Sequence, residues 1–147
     1  MFVWGGRPQA EGSPDPLATG GLYDPEANAW ETTSEDGAPV PRFQHHCLWT
    51  GTHVIVIGGA NVEHATTGGL YDPESAAWTS MSAEGLPVDD APAPYMRDFF
   101  VPFHLGWDGC RVVMWGAYAS EWQAWAYYPP PEIRAAAIPE QAAKPQP

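Results

Sequence analysis

Positive charge is scarce in this chain: 6 Lys and Arg stand against 18 Asp and Glu, a formal charge of -12 over 147 residues. Such a surface repels phosphate backbones and anionic lipid, which argues against nucleic acid and membrane as partners. Long apolar runs are missing too. No stretch approaches the roughly 20 residues that a membrane helix needs. Met1 leads straight into Phe-Val-Trp-Gly-Gly, without the basic start and apolar middle of a secretion signal, so a soluble chain with no signal peptide is expected. Cysteine is limited to Cys47 and Cys110. One disulfide is open to them, but nothing in the sequence brings their Cα atoms within bridging range, and free, buried thiols are the expectation.

What the chain has in quantity is Pro (17), Gly (15) and aromatic residues (13%). That mixture predicts short strands joined by tight turns, an all-β fold without long helices. A repeat organises it. Thr-Gly-Gly-Leu-Tyr-Asp-Pro-Glu-x-x-Ala-Trp occupies 19 to 30 and again 67 to 78, with only Ala27/Ser75 and Asn28/Ala76 differing over the twelve positions. A repeat unit buries its apolar face only against its neighbours, so everything else is best read in this frame. A second recurring element is an apolar run closed by small residues: Met1-Phe-Val-Trp-Gly-Gly6, His53-Val-Ile-Val-Ile-Gly-Gly59 and Arg111-Val-Val-Met-Trp-Gly-Ala117. Ahead of the second and third stand Leu48-Trp-Thr-Gly-Thr52 and Gly106-Trp-Asp-Gly-Cys110, where Thr50-Gly51 and Asp108-Gly109 suggest two-residue hairpin turns.

A strand ending in Gly-Gly, a variable loop, then Tyr-Asp-Pro and a Trp resembles the kelch repeat in its bacterial form, and Arg42-x-x-His45-x-x-x-Trp49-x-Gly51 resembles that family's first strand. The resemblance covers residues 1 to about 128. It implies four-stranded antiparallel blades of a β-propeller, with strands a to d running from channel to rim. The expected strands are b (1 to 6), c (18 to 23) and d (28 to 32); then a (43 to 50), b (53 to 58), c (67 to 71) and d (76 to 80); then a (99 to 107), b (110 to 116) and c (123 to 128). Blade 1 (1–32) thus lacks strand a, blade 2 (43–80) is whole, and blade 3 (99–128) lacks strand d. This incomplete ring of about 2.5 to 3 blades falls short of the roughly 4 to 8 of a closed propeller. A Pro/Ala-rich tail, 129–147, is expected to be disordered or loosely extended. Either the missing blades are supplied by a longer chain, which the hazard of open strand edges favours, or two copies associate head to tail into a six-bladed ring.

Alternating strand direction gathers the b-c and d-a loops (7 to 17, 33 to 42, 60 to 66, 81 to 98, 117 to 122) at one end of the blades and leaves only short turns at the other. Binding residues concentrate on long loops over a rigid scaffold. The candidates there are Arg7, Glu11, Asn61, Glu63, His64, Arg97 and Glu121, with Trp122 as an aromatic platform; Asp15, Arg42, Asp89 and Asp90 share that face. The expected function is a non-enzymatic binding or interaction module for a protein or carbohydrate ligand, with no catalytic residue, metal or cofactor. The rival readings are a fragment of a propeller enzyme and a truncated propeller without activity of its own. The enzyme reading follows from kelch-type relatives that oxidise galactose at copper or epimerise sialic acid. Cys47, Cys110, His46, His104 and Tyr118 supply the residue types for a copper radical site, and aligning Trp49 with Trp107 puts His46 opposite His104.

Three structural readings complete the set. Asp24 and Asp72 are expected to cap their Asp-Pro turns rather than act as acid and base. His45 is expected to be a hydrogen-bonded scaffold residue. Trp4, Trp30, Trp49, Trp78, Trp107 and Trp115 are expected to pack between blades, which leaves Trp122 and Trp125 as possible sugar-stacking groups. The resemblance favours a location outside the cytoplasm.

Overall fold

A computed structural model describes residues 1–8, 15–59, 68–81, 104–118 and 121–136, with the backbone alone at 116–118, 121–123 and 135–136. Ten strands form three antiparallel sheets in an open arrangement, not a closed ring. Blade 1 holds β1 (Phe2–Trp4), β2 (Gly20–Asp24) and β3 (Ala29–Thr32) in the order β1-β2-β3. Blade 2 holds β4 (His46–Trp49), β5 (Val54–Ile57), β6 (Gly68–Asp72) and β7 (Ala77–Ser80), again in chain order. Blade 3 holds β8 (His104–Trp107), β9 (Val112–Tyr118) and β10 (Glu121–Tyr127). Each strand overlaps one expected from the sequence. The main difference is in blade 3, where β9 and β10 extend toward each other and leave only 119 and 120 between them.

The hairpins turn one residue later than expected. Thr50 and His53 bracket the first, Asp108 and Arg111 the second, so that Gly51-Thr52 and Gly109-Cys110 are the central pairs. The reason lies in the first residue of each turn. Thr50 Oγ1 accepts from the His53 amide at 2.9 Å, and Asp108 Oδ1 accepts from the Cys110 and Arg111 amides at 3.0 and 2.9 Å. A side chain that satisfies these amides belongs at the turn's first position.

Strand registers repeat between blades: Phe2 faces Leu22 as Ile55 faces Leu70, and Trp4 faces Gly20 as Ile57 faces Gly68. Because the side-chain period is 2, this register sends alternate residues of each strand to opposite neighbours. Phe2, Trp4 and Leu22 leave the front of blade 1 and pack with Val54, Val56, Tyr71 and Trp78 on the back of blade 2. Ile55, Ile57 and Leu70 leave the front of blade 2 and pack with Val112, Met114 and Tyr127 on the back of blade 3. β5 is therefore buried along its whole length, which is why Val-Ile-Val-Ile shows no apolar-polar alternation.

Several expectations need correction. Of the six tryptophans assigned to packing between blades, Trp4 and Trp78 are buried and Trp107 is half-buried, but Trp30, Trp49 and Trp115 are exposed. They occupy the positions of Trp78, Trp107 and Trp4 in turn, but on faces where no neighbouring strand lies among the described residues. Trp125, left as a sugar-stacking group, packs against the core between blades 2 and 3. The tail does not begin as loose chain: α1 (Pro131–Ala136) follows β10, and its Ile133 is buried in the same cluster as Tyr127. Ile133 there has the part that Trp78 has beside Tyr71. Residues 137–147 lie outside the described residues.

Candidate functional site

At the end of the blades where β1 and β5 finish, the loop from β3 to β4 drops between blades 1 and 2, fastened by Arg42. Its side chain is 1% exposed; Nε donates to Val40 O at 3.0 Å and Nη1 to Gly58 O at 2.9 Å. Its backbone amide donates to Leu17 O, and its carbonyl accepts from the Gly6 amide at 2.8 Å. One residue thus ties the loop to the β1–β2 and β5–β6 connections together. Burial lowers its pKa to about 10, which leaves the guanidinium charged at neutral pH. Arg42 is a fastening and not a member of the exposed binding set.

The Gly-Gly pairs make room for this loop. A Cβ on Gly59, at φ 89°, would lie 2.7 Å from Phe43 O and 2.8 Å from the His45 amide; one on Gly5 would lie 2.9 Å from Arg42 O. Only glycine fits such an approach at positive φ. His45 sits edge-on to the Trp4 ring, 5.4 Å between centroids. Desolvation, then the charge of Arg42, then His46 hold its pKa below the ordinary imidazole value, opposed by a hydrogen bond with the Trp4 backbone. The imidazole is neutral scaffold, with Nδ1 unpartnered among the described residues.

Arg7 stands on this rim, exposed, with its guanidinium carbon 4.5 Å from the centroid of the Phe43 ring. Leu17 and Val40, whose carbonyls accept from Arg42, are exposed. The rim thus offers a cation on an aromatic face, over a loop that Arg42 hydrogen-bonds to two neighbouring connections. Of the residues expected to bind, Arg7 is the one whose side chain is described. Glu121 and Trp122 stand in β10, paired with Tyr118 and Ala117, at the start of a strand and not in a long loop. Glu11, Asn61, Glu63, His64 and Arg97 lie outside the described residues, as do Asp89 and Asp90. Sequence reasoning sought polar residues and so passed over Phe43, Leu17 and Val40. No signal in the sequence singled out Phe43, because its place on the rim depends on the loop that the buried Arg42 fastens.

The enzyme suspects are dispersed. Asp24 Oδ1 accepts from the Glu26 amide at 2.8 Å, and Asp72 Oδ1 from the Glu74 amide at 2.9 Å, both as turn caps. His46 and His104 do not face each other. His46 lies opposite Ile57, on the face of its sheet that packs toward blade 3, whereas His104 lies opposite Trp115 on the other face of blade 3 and stacks on that ring at 5.5 Å. Consecutive residues of a strand face opposite ways, which separates Cys47 from His46. Cys47 is exposed and not buried as expected; it shares the back of blade 2 with Trp49, beside a blade whose described strands number three. The protein behind its sulfur still pushes the thiol up to about 11, so little thiolate is present at neutral pH even though reagents have access. Both cysteines are free thiols. Among the described residues no three His, Cys, Asp or Glu side chains gather where they could hold a metal ion, and no helix is long and apolar enough to cross a membrane.

No protein-family model matches the chain, and a search of curated proteins finds no match.

Proposed function

We propose that the chain is a kelch-type interaction module that binds a protein or carbohydrate ligand through its b-c and d-a loops and catalyses no reaction. The observation that carries this reading is the rim between blades 1 and 2, where an exposed Arg7 lies over Phe43 on a loop that Arg42 hydrogen-bonds to its neighbours and that Gly5 and Gly59 leave room for. A pre-organised cation and aromatic face lowers the ordering cost of binding a carboxylate-bearing or aromatic group. The Tyr-Asp-Pro-Glu turns at the other end are satisfied internally, by their own amides. The kelch assignment is supported by the repeat signature, the Arg42-to-His45 segment and the a-to-d order of blade 2.

Glycan and peptide arrays probed with the purified chain test the reading. A hit should weaken about fivefold or more in Arg7→Ala, the loss of roughly one cation–π contact at a binding surface, and also in Trp122→Ala and Glu63→Ala. Arrays without a hit, or a hit that ignores all three substitutions, would place the function elsewhere.

A further inference from the structure

Among the described residues, the two outermost faces of the stack are the complements of a contact the chain already makes. On the back of blade 2, Tyr71 and Trp78 are buried, and Trp4 from the front of blade 1 closes on Trp78 with 5.5 Å between ring centroids. The back of blade 1 carries the same pattern in the same register: Met1, Val3, Tyr23 and Trp30 stand where Val54, Val56, Tyr71 and Trp78 stand. There Met1 is 67%, Val3 50% and Trp30 55% exposed. At the other end, Val113 faces Ala126 and Trp115 faces Ala124, the positions held by Phe2 and Trp4 in blade 1. Trp115 is 41% exposed. One end therefore offers an exposed equivalent of Trp78, backed by Tyr23, and the other an exposed equivalent of Trp4, backed by His104.

We infer that the back of blade 1 docks on the front of blade 3 of a second copy, Trp30 against Trp115, and that two such contacts close two chains into one ring. The occupant is a second copy because the contact continues the interface inside the chain, blade front against blade back, with tryptophan again supplied from both sides. The contact is heterologous, and a heterologous contact closes on the second copy when the rotation that carries one copy onto the other also carries it back, which leaves neither face open. Six sheets lie within the range of closed propellers. The inference does not depend on what the loops bind.

Sedimentation velocity on the full chain, from about 1 to 100 µM, should find a dimer of the 16.0 kDa chain. Trp30→Ser and Trp115→Ser should each weaken it by about tenfold or more, as removal of a central aromatic anchor does. Mixing the two variants should restore a heterodimer tighter than either variant's own, because the mixed pair keeps one intact Trp30–Trp115 contact. Four outcomes would overturn the inference: a wild-type monomer throughout, a dimer lost in Trp30→Ser but indifferent to Trp115→Ser, species that grow beyond the dimer, or a mixture no tighter than its components. Both side chains are exposed, so the variants should keep the near-ultraviolet circular dichroism of the folded chain. If one does not, Val3→Asp and Val113→Asp repeat the experiment at the same two faces.

Discussion

The segments 19 to 30 and 67 to 78 differ at two positions of twelve and adopt the same strand register, yet they lie in opposite surroundings. Tyr71 and Trp78 are closed over by Phe2 and Trp4, whereas Tyr23 and Trp30 touch each other, 5.2 Å between centroids, and water. The two substitutions track this difference. In blade 1 the Tyr23 hydroxyl donates to Asn28 Oδ1 at 2.8 Å, a bond with no counterpart at Ala76, while in blade 2 Ser75 Oγ donates to Asp72 at 2.6 Å, a bond with no counterpart at Ala27. Local sequence therefore fixes the hairpin, and the neighbouring blade decides what the hairpin contributes to stability.

The hardest test of that contrast is truncation of the tryptophan. Trp78→Ala should cost about 3 to 5 kcal/mol, the range for emptying a large aromatic site in a core, and it also removes the indole bond to Ser34 O at 2.9 Å. Trp30→Ala, measured by urea unfolding at a concentration low enough to keep the chain monomeric, should cost under about 1 kcal/mol, as surface substitutions do. Equal costs would mean that the back of blade 1 is covered within a single chain.

Glycine substitution sharpens the comparison from the other side, because each glycine lies against the backbone of its own sheet. A Cβ on Gly20 would lie 2.6 Å from Val3 O, and one on Gly68 would lie 2.6 Å from Val56 O. Gly20→Ala and Gly68→Ala should each cost about 1 to 3 kcal/mol, the ordinary penalty for overpacking, and the two values should agree with each other. A large cost at Gly68 beside a negligible one at Gly20 would show that blade 1 is held less rigidly than its hydrogen-bond ladder implies.

The same contrast explains which parts of the molecule the sequence makes legible. The strands, their order and the capping role of Asp24 and Asp72 follow from local pattern: alternation, Gly-Gly ends and Asp-Pro turns. Exposure of Trp30, Trp49 and Trp115 was not legible, since pattern equates them with Trp78, Trp107 and Trp4 and only the neighbouring sheet separates them. The relation of His46 to His104 failed for a similar reason; an alignment gives equivalent positions, and equivalent positions lie on the same face of successive sheets, not on facing ones. α1 was hidden by a Pro/Ala-rich composition in which Ile133 is the apolar residue that finds the core. At the rim, Arg7 was legible as a polar residue in a loop, but the burial of Arg42 depends on carbonyls brought in from Val40 and Gly58, which no spacing discloses.

The smallest expected effect separates the copies at the turn itself. Asp72 accepts from Ser75 Oγ at 2.6 Å and from the Glu74 amide at 2.9 Å; the Ser75 bond is the main cause holding its carboxyl below the usual 3.8. A depressed folded-state pKa adds stability that is present above the unfolded value and lost as pH falls through the folded one. Ser75→Ala should therefore destabilise the chain at neutral pH by about 0.5 kcal/mol or less, since water screens so exposed a group. The gap between variant and wild type should close as the pH falls below about 3.8, where both carboxyls take up protons. Ala27→Ser, which gives blade 1 the same pair, should add a contribution of similar size with the same loss in acid. A stabilisation by Ala27→Ser that persisted unchanged at low pH would mean that the hydroxyl acts on the backbone of the turn and not on the carboxylate. The equivalence of the two hairpins would then end at the residue where their sequences part.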